Sequence, residues 1–295
     1  MHRKKIAMNP TKIKWLYLVI LACVWGSSFI LIKRGLVGLN PYQLGSLRIL
    51  FAAAFLIIIG FRTLPSIPRS KWKFIMISAI CGTFLPVYLF SVAQTEIDSS
   101  VSSILNSLTP LNTLIIGTSF FGLYFQRRQL IGVIVGLIGS ALLILNGAAN
   151  HPEQNYYYAL LVIIACVGYA TNVNLIKKYM SDLTPLAIST GNFLVLTFPA
   201  LAILFFSGFF DIAGVAEVQQ SVLYIIILGV VGTGIANIIF FKLIQISSPV
   251  FATSVTYLIP VVAFFWGLMD NESLTSIQFL GALIILGGVY LSAKK

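Results

Sequence analysis

PYQLGSLRILFAAAFLIII, residues 41–59, is apolar almost throughout and carries a single charge, Arg48. About 20 apolar residues, rising 1.5 Å each, cross the roughly 30 Å hydrocarbon core of a bilayer as a helix. The stretch therefore reads as a membrane span. A guanidinium placed in hydrocarbon costs at least about 2.5 kcal/mol, so Arg48 is expected to face a polar interior and to have a partner there. Gly45 and Ala52, at i−3 and i+4, share its face, and small residues mark a side packed on other helices.

The rest of the chain repeats this pattern. Its 295 residues are 58% hydrophobic and 9% charged, with a mean hydropathy of +0.97, beyond what a soluble domain needs for its core. Ten segments are apolar and long enough to span: 15–33, 41–61, 72–93, 100–122, 128–147, 156–177, 185–207, 221–243, 249–269 and 275–293. The fold class is an all-α integral membrane protein with little chain left for a soluble domain. Cys23, Cys81 and Cys166 fall inside spans at no metal-like spacing, and His2 and His151 lie outside them. No disulfide framework, metal site or cofactor is expected. The basic start MHRKKIAMNPTKIK is followed by a segment too long for a secretion signal and without a small-x-small cleavage site, so it reads as a retained first helix.

With an even number of spans both termini share a side. Of the 19 basic residues, only Lys33 and Arg34 fall on the opposite side, Arg48 lies within a span, and all the others sit with the termini. The positive-inside rule makes that side cytoplasmic. Glu96, Asp98, Glu153, Asp211, Glu217, Asp270 and Glu272 sort to the outside and only Asp182 to the inside. The net charge of +11 is thus mainly a topology signal, with anionic lipid headgroups as its partner rather than nucleic acid. Trp15, Trp72 and Tyr156 to Tyr158 fit interfacial belts.

The halves resemble each other at an offset of 143 to 150 residues. Ala22-Cys23-Val24 matches Ala165-Cys166-Val167, Ile32-Lys33 matches Ile176-Lys177, and Leu39-Asn40-Pro41 matches Leu183-Thr184-Pro185. Gly82-Thr83 matches Gly232-Thr233, Pro110 matches Pro260, and Gly132 and Gly139 match Gly281 and Gly288. The division is drawn at 1–148 and 149–295. Five helices per repeat is an odd number, so the second repeat enters the membrane inverted. Two inverted halves that exchange conformations can expose one midplane site to either side, which is a transporter signature.

Trp25-Gly-Ser-Ser-Phe29 in the first span, Arg48, Ala52 and Ala53 as Arg-x-x-x-Ala-Ala in the second, and Glu272-Ser-Leu-Thr-Ser-Ile-Gln-Phe-Leu-Gly281 before the last carry a further resemblance. The chain resembles the EamA family of the drug/metabolite transporter superfamily over nearly its whole length. That resemblance implies a solute carrier, often an exporter of amino acids and other small metabolites. It also implies that the fifth and tenth helices are peripheral. Where the family often has an acidic residue before the fifth helix, this chain reads Leu123-Tyr-Phe-Gln-Arg-Arg-Gln-Leu-Ile-Gly132.

The candidate solute-binding residues are the polar and aromatic groups at membrane depth: Trp25, Ser28, Arg48, Tyr88, Asn106, Tyr169, Asn172, Asn192, Asn237 and Tyr257. The topology divides them, with Thr171 and Thr256, into an outer set holding Ser28, Arg48, Tyr88 and Asn106 and an inner set holding most of the rest. Two polar vestibules flanking a central site are expected. Arg48 pairs with Asn192 across the repeat, Ser28 with Thr171 and Asn106 with Thr256. The bland alternative for each neutral residue is a hydrogen bond between helices, worth about 0.6 to 2 kcal/mol; for Arg48 it is a bond to backbone carbonyls or headgroups. Pro86, Pro110, Pro199 and Pro260 predict kinks. Gly132, Gly136, Gly281, Gly287 and Gly288 predict close helix packing, within the chain or across a homodimer.

No Asp, Glu or His lies inside a span and no phosphate-binding GxxxxGK[ST] loop occurs, so neither buried-carboxylate proton coupling nor ATP hydrolysis is expected. The function read from the sequence is export of small metabolites, such as amino acids or amphiphilic solutes, through the plasma (bacterial inner) membrane. Alternating access by rocking of the repeats is the expected mechanism, with the site between the first four helices of each. Exchange of phosphorylated or nucleotide-linked solutes, a scaffold or receptor, and a membrane enzyme are the weaker alternatives; an enzyme lacks a visible nucleophile, metal cluster or carboxylate pair at depth.

Overall fold

The computed structural model describes residues 10–97, 99–148, 156–269 and 276–293. The basic residues before Met8, His151, Glu153, Asp98, Asp270, Glu272, Lys294 and Lys295 lie outside the described residues, as does the division between positions 148 and 149 on its C-terminal side. Ten helices follow one another where the hydropathy places them, and the described residues contain no strand.

In the first half, α1 spans Pro10–Gly35 and α2 Pro41–Gly60. α3 consists of Trp72–Ala79 and Leu85–Ala93 joined through a π-helical turn, Ile80–Phe84. α4 is divided into Ser99–Asn106 and Thr109–Phe121, and α5 spans Arg127–Ala148. In the second half, α6 is Ala159–Tyr179 and α7 Pro185–Phe206. α8 consists of Ala216–Gly229 and Ala236–Ile246 around a π-helical turn, Val230–Ile235. α9 is divided into Pro249–Thr253 and Val255–Met269, and α10 spans Ser276–Ala293. Six of these have the length and composition of a membrane span without a break in the helical chain.

The two halves repeat each other in their irregularities as well as in their order. α2 and α7 start in the same way: Asn40 accepts the Tyr42 and Gln43 N–H groups at 3.0 and 2.9 Å, and Thr184 accepts the Ala187 N–H at 3.1 Å, each with proline at the first helical position. The π turns fall at Gly82-Thr83 and Gly232-Thr233, the pair matched in sequence. The divided helices are α4 and α9. A π turn inserts a residue into the winding and leaves carbonyls without their usual partners, and such turns gather at functional sites.

Proline accounts for part of this. Pro86 follows the α3 turn directly, and Pro110 opens the second piece of α4. Pro260 removes the donor that Thr256 would meet four residues on, and the Thr256 carbonyl accepts the Ser107 hydroxyl instead, at 3.4 Å. Pro199 leaves α7 undivided, and α8 takes its π turn with no proline in it.

α5 and α10 pack on each other. A methyl group on Gly288 would lie 2.5 Å from the Gly136 nitrogen and 2.7 Å from the Gly132 oxygen, so the backbones touch. The Gly132, Gly136 and Gly288 surfaces are therefore used within the chain.

Candidate functional site

Both π turns and both helix divisions border one cavity of about 100 Å³. By the rule that one water needs about 10–15 Å³ measured in this way, it holds roughly seven to ten waters. α1 lines it with Trp25, Ser28, Phe29 and Ile32, α2 with Arg48, α3 with Gly82, Thr83, Val87 and Phe90, and α4 with Asn106 and Thr109. From the other half come Tyr169 and Asn172 on α6, Gly232, Thr233, Asn237 and Phe240 on α8, and Thr253, Thr256 and Ile259 on α9. Among the described residues α5, α7 and α10 contribute nothing to the wall.

The α8 side is built around its π turn. The Trp25 indole N–H donates to the Gly232 carbonyl at 3.0 Å, meeting a backbone oxygen in the irregular segment. Its ring stands edge-on to Phe240, centroids 4.9 Å apart. Arg48 Nε donates to Thr233 Oγ1 at 2.8 Å, and that hydroxyl donates on to the Leu228 carbonyl at 3.0 Å. The close approach of α2 and α8 requires glycine at 229, where a methyl group would sit 2.9 Å from the Arg48 carbonyl.

The α3 side mirrors this with a gap. Thr83 corresponds to Thr233, but its Oγ1 is buried and has no hydrogen-bond partner. Asn192, the counterpart of Arg48, is too short to reach it and stops at Ser78. The Ser78 hydroxyl lies 2.9 Å from the Asn192 amide and 2.6 Å from Asn172 Oδ1. A methyl group on Gly82 would strike the Asn172 amide, just as one on Gly232 would meet Ser28 Oγ at 3.1 Å. Ser28 thus corresponds in space to Asn172 rather than to Thr171, whose hydroxyl bonds back to Val167.

Seven of the ten candidate residues come together here: Trp25, Ser28, Arg48, Asn106, Tyr169, Asn172 and Asn237. They join members of the outer and the inner set in one cavity, where two vestibules were expected. Three candidates lie outside the wall. Tyr88 pairs with Ser46 at 2.8 Å, behind Gly45. Asn192 is fully buried behind Asn172. Tyr257 donates to the Val133 carbonyl at 3.0 Å and ties α9 to α5 over Gly136. Thr83 and Thr233 were missed as site residues, although the Gly-Thr match across the repeat already marked both.

The charge in the wall is simple. Arg48 is partly buried, and its two terminal nitrogens donate to no group among the described residues. Among the described residues no acidic side chain lines the cavity. The Tyr169 hydroxyl, which interacts electrostatically with Arg48, and the Asn237 amide make no hydrogen bond to any described residue. Fixed donors around an unpaired guanidinium can hold an anionic group in bidentate fashion.

The two ends of the cavity differ. On α1 the wall runs from Trp25 to Ile32, next to Lys33, whereas on α6 it stops at Asn172, short of Lys177. Beyond Asn172 a continuous apolar cluster closes the bundle, with Leu21, Ile176, Phe241, Ile244 and Phe251 fully or almost fully buried. Lys177 Nζ fastens that end by donating to the Ile244, Gln245 and Ser247 carbonyls at 3.1, 3.1 and 2.7 Å, capping the C-terminus of α8. Lys71 adds bonds to the Tyr179 carbonyl at 2.6 Å and to Asp182 at 2.9 Å. The bond from Lys71 holds the Asp182 carboxyl below its ordinary range. Its contribution is therefore present above about pH 4, the unfolded carboxylate range, and is lost as pH falls through the lowered value. Both groups are solvent-accessible, so that contribution is small.

The sequence pattern of the EamA-like transporter family matches residues 13–145 and again 157–294, one match per half. The chain belongs to the EamA-like transporter family. It is 25% identical over 289 residues to an uncharacterized transporter of Archaeoglobus fulgidus, covering 96% of this chain and 99% of that one. It is 27% identical to the uncharacterized inner membrane transporter YedA of Escherichia coli, over 93% of this chain and 88% of YedA. A probable amino-acid metabolite efflux pump of the same species is 25% identical, over 93% and 92%. A solved crystal structure shares the fold at a TM-score of 0.73 with 15% identity, over 96% of both chains. This EamA-like chain is therefore a multi-pass membrane protein of a transporter family, with two repeats of five helices.

Proposed function

We propose that this EamA-like protein exports a small metabolite, an amino acid or a related amphiphilic solute, across the plasma (bacterial inner) membrane by alternating access. The observation that carries the reading is the single cavity bordered by the π turns of α3 and α8 and the divisions of α4 and α9. Where the helical ladder is broken, carbonyls and hydroxyls turn toward a solute, and matched breaks in inverted halves can exchange roles. The name of the Escherichia coli efflux pump supports the cargo class, and that of YedA the membrane.

Arg48, Trp25, Ser28, Asn106, Tyr169, Asn172 and Asn237 are the proposed solute contacts. Tyr88, Asn192 and Tyr257 become supports behind them. The positive-inside rule places the termini, and with them the Lys177 end, in the cytoplasm, so the cavity lies toward the outside. Phosphorylated and nucleotide-linked solutes fit less well, because a phosphate dianion calls for more than one cation and the volume suits about ten non-hydrogen atoms.

Counterflow in proteoliposomes against amino acids, organic anions, cations and sugar phosphates tests the reading. Saturable counterflow of one class is expected, reduced at least tenfold in Arg48→Gln and partly retained in Arg48→Lys. Unchanged transport by folded Arg48→Gln would remove Arg48 from solute recognition.

A further inference from the structure

Among the described residues the cavity wall contains one formal charge, Arg48, and no acidic group to balance it. Arg48 lines the cavity and is fixed through Nε to Thr233, which leaves its two terminal nitrogens without a hydrogen bond to any described residue. Across from the α8 turn, Thr83 offers a second buried group, 3% exposed, whose hydroxyl oxygen has no partner. The remaining polar wall, including Tyr169, Asn172 and Asn237, is uncharged, and Trp25, Phe29, Phe90 and Phe240 make the rest aromatic.

We propose that the preferred cargo is a small monovalent organic anion, with one carboxylate held on Arg48 and Thr83 and an uncharged remainder against the aromatic wall, and that its export is driven by the membrane potential. This rests on the transport reading above and narrows its cargo from amino acids to related amphiphilic monocarboxylates. A monocarboxylate makes the loaded cavity neutral. A zwitterion of the same size leaves the cavity positive and brings an ammonium that meets no carboxylate. A dicarboxylate leaves one negative charge uncompensated at a depth where charge is costly.

The same charge supplies a driving force. Glu217 sits in the first turn of α8, away from the cavity, and among the described residues no Asp, Glu or His lines the wall, so no proton-binding carboxylate or imidazole meets the solute there. An anion leaving a cell that is negative inside moves down the electrical gradient, and about 2.3 kcal/mol per charge at 100 mV corresponds to roughly a 50-fold outward concentration ratio. An uncoupled carrier for a monoanion is thus an exporter without any further device.

Four probes of similar skeleton and differing charge decide the matter in proteoliposomes: 2-oxoisovalerate (monoanion), valine (zwitterion), isobutylamine (cation) and succinate (dianion). Uptake of 2-oxoisovalerate is expected to exceed that of the other three at least tenfold. A valinomycin–potassium potential, positive inside the vesicle, should accelerate it and the reverse potential should slow it, whichever way the protein is inserted. In detergent, 2-oxoisovalerate should raise the melting temperature of the wild type and of Thr233→Ser but not of Arg48→Gln. Valine carried as well as 2-oxoisovalerate, or 2-oxoisovalerate uptake indifferent to potential, overturns the charge assignment and leaves transport standing. If none of the four moves while the broader panel shows counterflow of another class, this proposal alone fails. If both are silent, the transport reading fails with it.

Discussion

Thr83 and Thr233 occupy equivalent places in the two repeats, and one substitution separates their roles. Thr233 Oγ1 receives Arg48 Nε and donates to Leu228, whereas Thr83 Oγ1 is buried without a partner. A hydrogen bond to a charged group is worth about 1.5–3 kcal/mol, and an unsatisfied buried polar group costs about 1–3 kcal/mol. Thr233→Val should therefore lower the stability of the empty protein by about that first amount, while Thr83→Val should leave it unchanged or raise it. Both should weaken solute binding, Thr83→Val because the solute loses a hydroxyl and Thr233→Val because Arg48 loses its anchor. Thermal unfolding with and without solute reads both signs, and a destabilised Thr83→Val with unaltered solute affinity would contradict the assignment. Arg48 was legible in the sequence because a charge inside a span is costly wherever it lies. Asn192, Tyr88 and Tyr257 looked equivalent to the true wall residues because hydropathy gives depth but not the direction of a side chain. Whether an amide faces a cavity or Ser78 is settled by which helix stands opposite.

The helices were placed by apolar length, and boundaries in sequence and structure agree to within a few residues for most spans; that Asn40 and Thr184 cap α2 and α7 is a finding of the structure. The π turns were not legible: one extra residue in the winding does not alter a hydropathy window, and α8 carries no proline to announce its own. The glycine pattern of α5 and α10 was legible as close contact but not as to its partner. Gly288 touches the backbone of α5, whereas Gly287 has no atom within 4 Å of the place its side chain would take. Overpacking a tight contact costs about 1–3 kcal/mol, so Gly288→Ala should lower the unfolding temperature and Gly287→Ala should not. Transport per folded molecule should survive both, since no described residue of α5 or α10 lines the cavity. Equal effects at the two positions, measured by thermal unfolding in detergent, would remove the close α5–α10 contact as their cause.

At the scale of the whole molecule, inverted repeats let one conformation be deduced from the other. Lys177 caps the C-terminus of α8 through the Ile244, Gln245 and Ser247 carbonyls. Its sequence counterpart Lys33 is exposed and bonded to nothing among the described residues, and the counterpart of the capped segment is the end of α3, Gln94 to Ile97. If the halves exchange conformations, the opposite state opens the Lys177 end and lets Lys33 cap α3. The two lysines then pull one equilibrium in opposite directions, each biasing it by its differential contact with the two states. A cysteine introduced at Asn237, in the cavity wall, reports the balance through labelling by an impermeant maleimide added from one side of oriented membranes. Lys177→Gln should decrease labelling from the Lys33 end and increase it from the Lys177 end, and Lys33→Gln should do the reverse. One charge-assisted cap is worth about 1.5–3 kcal/mol, so the ratio of labelling from the two sides should move by about tenfold or more in each variant. Shifts in the same direction for both variants would mean that the lysines merely stabilise the helices they cap, and the exchange of latches between the repeats would be wrong.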